Sequence, residues 1–306
     1  MSEENEADAP SSCCCCASCG IAEIDEIKLK ECGDCDLVRY CSDECQQEHK
    51  SKHEEACQKR AAELRDEVLF KQPESSHLGD CPICCLPLSL EQRKSSMYSC
   101  CSKLICRGCE YANKMREKKG RLERKCPFCR HPTPRSVEEI KMNHMKRIEV
   151  NDAYAMFQMA MMYYKEGDCD KAFSYFTKAA GLGNIAAHDQ LSQLHHKGHG
   201  VERDEKKAIY HLEVAAISGH PQARNNLASI EERRGRRDRA VKHLIIAAKQ
   251  GFGVSLDALK TLYKAGYVSK EDFATALRAH HAAVKASKSP QRELAEKNLA
   301  KLSRNI

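Results

Sequence analysis

Sixteen metal-ligand residues in eight close pairs constrain this 306-residue chain more than any other feature. Of its 20 cysteines, only Cys169 lies beyond residue 129. The first series runs Cys16-x2-Cys19, Cys32-x2-Cys35, Cys41-x3-Cys45, His53-x3-Cys57. A C-x2-C turn brings two sulfurs to one metal, and an i, i+4 pair does the same from one helix face. Cys41/Cys45 and His53/Cys57 have that second spacing and sit in helix-favouring sequence. Eight ligands suffice for two tetrahedral zinc sites. A module of about 42 residues buries too little to fold alone. Two zinc ions, at ~10–16 kcal/mol each, supply the deficit.

A second series follows a predicted helix over Glu54–Lys71 and a polar break at Gln72–Ser76. It reads Cys81-x2-Cys84, Cys100-Cys101, Cys106-x2-Cys109, Cys126-x2-Cys129. The first and third pairs, and the second and fourth, make two further sites, for four zinc ions in all. Cys13, Cys14 and Cys15 read as spare thiols of a tail, although the CCCC run leaves open whether one of them acts in place of Cys16.

The rest of the composition narrows the class. No stretch approaches the ~20 apolar residues of a membrane-spanning helix. The opening MSEENEADAP is acidic and has no apolar core, which predicts no secretory signal and a reducing compartment, cytoplasmic or nuclear. There, paired cysteines are metal ligands rather than bridges. The formal charge is +6. Fifteen thiolates with four dications bring it to about −1, which argues against a polyanion partner.

The first series resembles the MYND zinc finger, through the YCSDECQ segment at Tyr40–Gln46 and the closing His53 and Cys57. The resemblance implies interleaved sites, Cys16, Cys19, Cys41 and Cys45 on one zinc and Cys32, Cys35, His53 and Cys57 on the other. It also implies docking of short proline-containing peptides. The family's usual Trp before the His ligand is absent; Gln47–Lys52 reads QEHKSK. The second series resembles a RING finger, through CPIC at Cys81–Cys84, ICRGC at Ile105–Cys109 and CPFCR at Cys126–Arg130. The usual Cys-x-His is missing, and Lys103 stands where the His belongs. A protonated lysine has no lone pair for zinc, so Cys100 and Cys101 make an all-Cys variant, with His131 and Cys85 as alternatives that break the spacing. The resemblance implies a surface for a ubiquitin-charged conjugating enzyme, formed by Ile83, Pro127 and Arg130. The interval Glu110–Lys125 reads as a charged, solvated helix.

The back half repeats. AAGLGN at Ala179, AAISGH at Ala215 and AAKQGF at Ala247 recur, with Ala172, Ala208 and Ala240 seven residues upstream. Ala155-x3-Met159, Ala187-x3-Leu191 and Ala223-x3-Leu227 precede them. Each unit is two short helices with small residues at the crossing, ended by Gly183, Gly219 and Gly251. A degenerate fourth unit starts near Val254. With the insert GHGVERDEKKA at Gly198–Ala208, these units resemble Sel-one-like, tetratricopeptide-type repeats, which implies a solenoid that binds peptides or proteins. The run Met156–Tyr164 reads as core. His195, His196 and His199 have no second ligand cluster and read as solvated or packed. ERRGRRDR at Glu232–Arg239 is interrupted by acids and reads poorly as a nuclear signal. Ser136–Glu139 reads as a capping box opening a connecting helix.

The fold class expected is mainly α: two small zinc-stabilised cross-brace modules and then an α-solenoid. The organisation expected is a disordered tail over 1–12, a MYND-type finger over 13–57, helix and linker over 58–76, a RING-like finger over 77–134, a linker helix over 135–151, the solenoid over 152–290 and a helical tail over 291–306. Three functions compete: a RING-type ubiquitin ligase, a non-catalytic adaptor, and, against the charge, a nucleic-acid-associated factor. A SET-type methyltransferase has no room outside these modules, and no nucleophile or phosphate loop is in view, so catalysis would act by positioning a partner enzyme.

Overall fold

The computed structural model describes residues 15–302; the tail expected over 1–12, with Cys13 and Cys14, lies outside the described residues. The chain divides between Lys71 and Gln72 into two compact units. Among the described residues it is mainly helical, with four short strands. Among the described residues no helix is long and apolar enough to cross a membrane.

In the first unit, β1 (Lys30–Glu31) pairs antiparallel with β2 (Arg39–Tyr40), and α1 runs over Asp43–Leu69. The Ser42 hydroxyl accepts the Cys45 N–H, and Asp43 and Glu44 fill the first turn, so α1 begins well before the expected Glu54. It therefore crosses the expected boundary at residue 57, and Cys45, His53 and Cys57 share one helix. Cys41 lies before the cap, not on the helix. Arg60 on α1 forms a bidentate pair with Asp36, at 2.7 and 2.8 Å, that ties the loop before β2 to the helix.

The second unit starts with a small module. β3 (Ser95–Tyr98) and β4 (Lys103–Cys106) form a hairpin whose turn carries Cys100 and Cys101. It leads into α2 (Arg107–Lys119), whose N-cap acceptor is the Cys106 sulfur, 3.4 Å from the Cys109 nitrogen. The helix is not the solvated one expected over Glu110–Lys125, because it starts earlier and stops at Gly120. One stripe of it is buried. Glu110 takes Ser96, Arg107 and Lys114, and Glu117 accepts from Asn113 and the Lys125 backbone. Buried carboxylates so paired are cross-links rather than a solvent face.

α3 (Val137–Ile148) opens on Ser136, whose hydroxyl accepts the Glu139 N–H; Glu139 in turn accepts the N–H of Arg135, one residue outside the cap. Asn143 bonds Ser99 of the hairpin turn. At the other end Arg147 grips Asp152, the N-cap of α4. Antiparallel pairs then follow: α4 (Ala153–Glu166) with α5 (Cys169–Gly181), α6 (Ile185–Lys197) with α7 (Glu205–Ile217), α8 (Pro221–Arg233) with α9 (Arg237–Lys249), and α10 (Gly253–Lys264) with α11 (Lys270–Ala286). Ala155, Ala172, Ala179, Ala187, Ala215, Ala223 and Ala247 have no accessible surface, as close helix crossing requires. Met156 and Met159 are buried. His195 is also buried, against Phe173 and His211, while His196 and His199 face solvent. Gly200 has φ +67, and a Cβ there would stand 2.3 Å from the Cys169 carbonyl oxygen, so the insert presses backbone on backbone.

Two long-range contacts lock the small module to the solenoid within this unit. His77 donates its N–H to the Gly219 carbonyl, its ring lies 4.1 Å from that of His220, and Gln250 donates to both Ser75 and Gly219 carbonyls. The last helix, α12 (Pro290–Leu302), is not a free tail: it packs on α2. Its Arg292, 6% exposed, donates to the carbonyls of Leu86, Pro87 and Ser287 and to the Cys84 sulfur.

Candidate metal centres

Four tetrads assemble, each with all ligand atoms within 4.8 Å of one another: Cys16/Cys19/Cys41/Cys45, Cys32/Cys35/His53/Cys57, Cys81/Cys84/Cys106/Cys109 and Cys100/Cys101/Cys126/Cys129. Sulfur–sulfur distances of 3.4 to 3.8 Å recur in them. Tetrahedral zinc with Zn–S of about 2.3 Å requires about 3.8 Å between sulfurs, whereas a disulfide requires about 2.0 Å. The donor sets, all thiol or thiol with one imidazole, fit zinc. Both modules thus cross-brace, and the four tetrads suit four zinc ions. The ring of His53 reaches Cys35 through Nε2 at 3.2 Å. Cys15, Cys85, Lys103 and His131 stand outside the tetrads.

Three of the C-x2-C pairs sit in one recurring knuckle. The N–H after the pair returns to the first ligand's carbonyl: Gly20 to Cys16, Cys85 to Cys81, Arg130 to Cys126. The residue making that return is left-handed, with φ of 75, 54 and 65°. Glycine suits this conformation; another residue costs ~1 kcal/mol or more. This is why Cys85 is not a ligand: its backbone turns the knuckle and its side chain is exposed.

Sulfurs in these knuckles are prepared for negative charge. The Cys106 N–H donates to Cys81 at 3.5 Å. Hydrogen bonding from the Cys106 side chain, against burial, and from surrounding backbone N–H groups brings Cys81 down to about 4, while its partner Cys106 is driven up. Burial opposes ionisation of Cys16, but the N–H groups of Cys19, Cys41 and Ser18 still bring it down to about 6. A site in which some thiols are already acidic releases fewer protons when metal arrives. On α1, His49 stacks on His53 and its Nδ1 lies 3.1 Å from the Tyr40 hydroxyl, an orienting contact for a ligand ring. The i−4 spacing of His49 from His53 was the available signal. Gln47 and Lys50, from the stretch that lacks the Trp, line a cleft of about 400 Å³ beside Tyr40 and His53.

The three surface residues singled out in the second module lie as follows. Ile83 is 41% exposed, Pro127 is half-buried, and Arg130 is exposed with its guanidinium on the Asn113 side chain at 3.1 Å. Phe128, 43% exposed, occupies in CPFC the place of Ile83 in CPIC. Comparing the two tetrapeptides would have found it.

Comparison with known proteins matches the first module and the solenoid. A MYND finger matches at residues 16–57, and the Sel1 repeat matches at 153–184, 185–220 and 222–252. No curated protein matches the chain. Among solved structures, a Sel1 repeat protein from Oxalobacter formigenes is similar at 22% identity, covering 58% of this chain and 72% of its own, with a TM-score of 0.43. The protein c5321, a protective antigen of uropathogenic Escherichia coli strains displaying an SLR fold, is similar at 20% identity, covering 62% and 40%, with a TM-score of 0.40. MamA is similar at 18% identity, covering 54% and 91%, with a TM-score of 0.31.

Proposed function

We propose that this zinc-bound protein-interaction scaffold works as a ubiquitin ligase of the RING type. The second module seats a ubiquitin-charged conjugating enzyme, and the MYND finger and solenoid choose the protein to be modified. One observation carries the reading: the matched knuckles of that module expose an apolar side chain each, Ile83 and Phe128, which the zinc fold does not bury. We read the two together as one docking face, because apolar side chains grouped on a surface mark interaction sites. Arg130 adds support. It holds a left-handed backbone that glycine would adopt at lower cost. The module would supply no nucleophile; it would hold the charged enzyme in its reactive geometry. Such a protein would work where thiolates stay reduced, in cytoplasm or nucleus.

The test is discharge of ubiquitin from a panel of charged conjugating enzymes, using protein verified for four zinc ions. We expect acceleration that Ile83→Ala, Phe128→Ala and Arg130→Ala each abolish with zinc retained. A second reading, the non-catalytic adaptor, is favoured by the bond from Arg130 to Asn113, which occupies the guanidinium. It predicts no acceleration with any conjugating enzyme, and that result would refute the ligase.

A further inference from the structure

The solenoid carries a groove of about 370 Å³ between α6, α7 and α8. That volume is within the range of ligand sites, roughly 300–1,000 Å³. Its floor includes Ile209, Leu212 and Ile230, and its rim carries Lys197, Arg203, Arg233 and Arg234. Glu205 is the one carboxylate in the lining, and it pairs with Arg234 at 2.8 Å. Among the described residues Lys197, Arg203 and Arg233 have no carboxylate partner, and all three are exposed. Net positive charge is thus concentrated around an apolar trough, on a protein whose zinc-bound charge is near zero.

We propose that this groove binds an acidic peptide segment with interspersed apolar side chains. The apolar residues would enter the floor while carboxylates meet Lys197, Arg203 and Arg233. Charge complementarity of this kind selects partners and speeds encounter more than it adds raw affinity. A nucleic acid fits less well. The groove is lined by no Phe, Tyr or Trp, and His196 is the one ring in its lining on which a base would stack. The groove itself is held firmly, because Asn226 at its wall is bonded by Gln222 and donates to the buried Asp189. A preformed wall reduces the ordering that binding must impose.

This inference deepens the proposed function, resting on its reading of the solenoid as the part that selects a protein. Its test is separate from ubiquitin transfer. The probe is a fluorescein-labelled 12-residue peptide of alternating Glu and Leu, titrated against full-length, zinc-loaded protein by anisotropy. The controls are the same peptide with Lys for Glu and a labelled oligouridine. We expect saturable binding of the acidic peptide alone, weakened at least ~10-fold in the double variant Lys197→Glu/Arg203→Glu. The charge-conserving Arg203→Lys and the remote Lys260→Glu should bind as wild type. Raising salt from 50 to 500 mM should weaken binding. No saturation at millimolar protein, equal binding of the lysine peptide, tighter binding of oligouridine, or an unaffected double variant would each overturn it. A protein that binds the peptide but discharges no conjugating enzyme would refute the ligase and leave the groove standing.

Discussion

Arg292→Ala should loosen the third zinc site selectively. Arg292 Nη1 donates to the Pro87 and Ser287 carbonyls at 2.6 Å each, and Nη2 donates to the Leu86 carbonyl at 3.0 Å and Cys84 Sγ at 3.3 Å. The side chain is almost fully buried, and its Cγ lies against Gly108. Truncation leaves three carbonyls without their donor, at ~1 kcal/mol each where water enters the gap and up to ~3 where it does not. Two stem methylenes, Cγ and Cδ, add ~1.6 kcal/mol of lost burial. A tetrathiolate around one dication is also left without its neighbouring cation, and such outer contacts are worth ~10–100-fold in metal affinity. With water in the gap the expected loss of stability in the second unit is ~5 kcal/mol, and Arg292→Lys, which retains charge but not the fork, should recover about half. The assay is zinc release to a chromogenic chelator, with urea unfolding in parallel. One ion of four should leave at least ~10-fold faster, and the unfolding midpoint should fall. A variant with wild-type release and a shift below ~0.5 kcal/mol would refute the docking of α12 and with it the whole account of the module's closure.

Other outcomes follow from the same contacts. Gly108→Ala would put Cβ 2.8 Å from Arg292 Cγ and 3.0 Å from its backbone nitrogen, so it should cost ~1–3 kcal/mol and mimic Arg292→Ala in zinc release. Gly200→Ala meets the Cys169 carbonyl in a left-handed backbone and should lower the melting temperature of the second unit by several degrees, at ~2–4 °C per kcal/mol, with zinc content unchanged. Cys100→Ser should reduce bound zinc from four ions to three by elemental analysis, whereas Cys85→Ser should retain four. Burial holds His77 down at about 3 and His220 at about 4, so both stay neutral in the fold and protonate in the unfolded chain below its ordinary value near 6.5. Stability is therefore complete above about pH 6.5 and is lost as pH falls through that value toward the folded values, by up to ~1.4 kcal/mol per pH unit for each ring. A His77→Gln protein should show a shallower loss between pH 6.5 and 5; an identical slope would contradict the buried pair.

The sequence revealed what depends on spacing. Ligand pairs repeat at fixed intervals and alanines mark helix crossings, so the tetrads and the solenoid units were visible without coordinates. What stayed hidden has no local period. α1 buries only His53 and Leu69 among its 27 residues, so no apolar stripe announces its start at Asp43. Arg292 sits in a stretch as polar as a solvated tail, and three of its four partners, Cys84, Leu86 and Pro87, are more than 200 residues away in the chain. Glu110 and Glu117 looked like one half of a mixed-charge surface, because a charge alone does not reveal that a neighbouring loop will cover it. The left-handed turns at Cys85 and Arg130 were hidden for the opposite reason: their residue types conceal a conformation that Gly20 advertises.

The return of α12 to α2 also sets an order of events during synthesis. Arg292 lies 205 residues beyond Pro87, so at ~5–20 residues per second the zinc knuckle leaves the ribosome ~10–40 s before the side chain that closes it. During that interval the Cys81 and Cys84 loop must take its metal without its neighbouring cation and without its cover. A chain cut short anywhere before α12 would therefore carry a loaded but unsealed site, recognisable to metal chelators and to proteases alike.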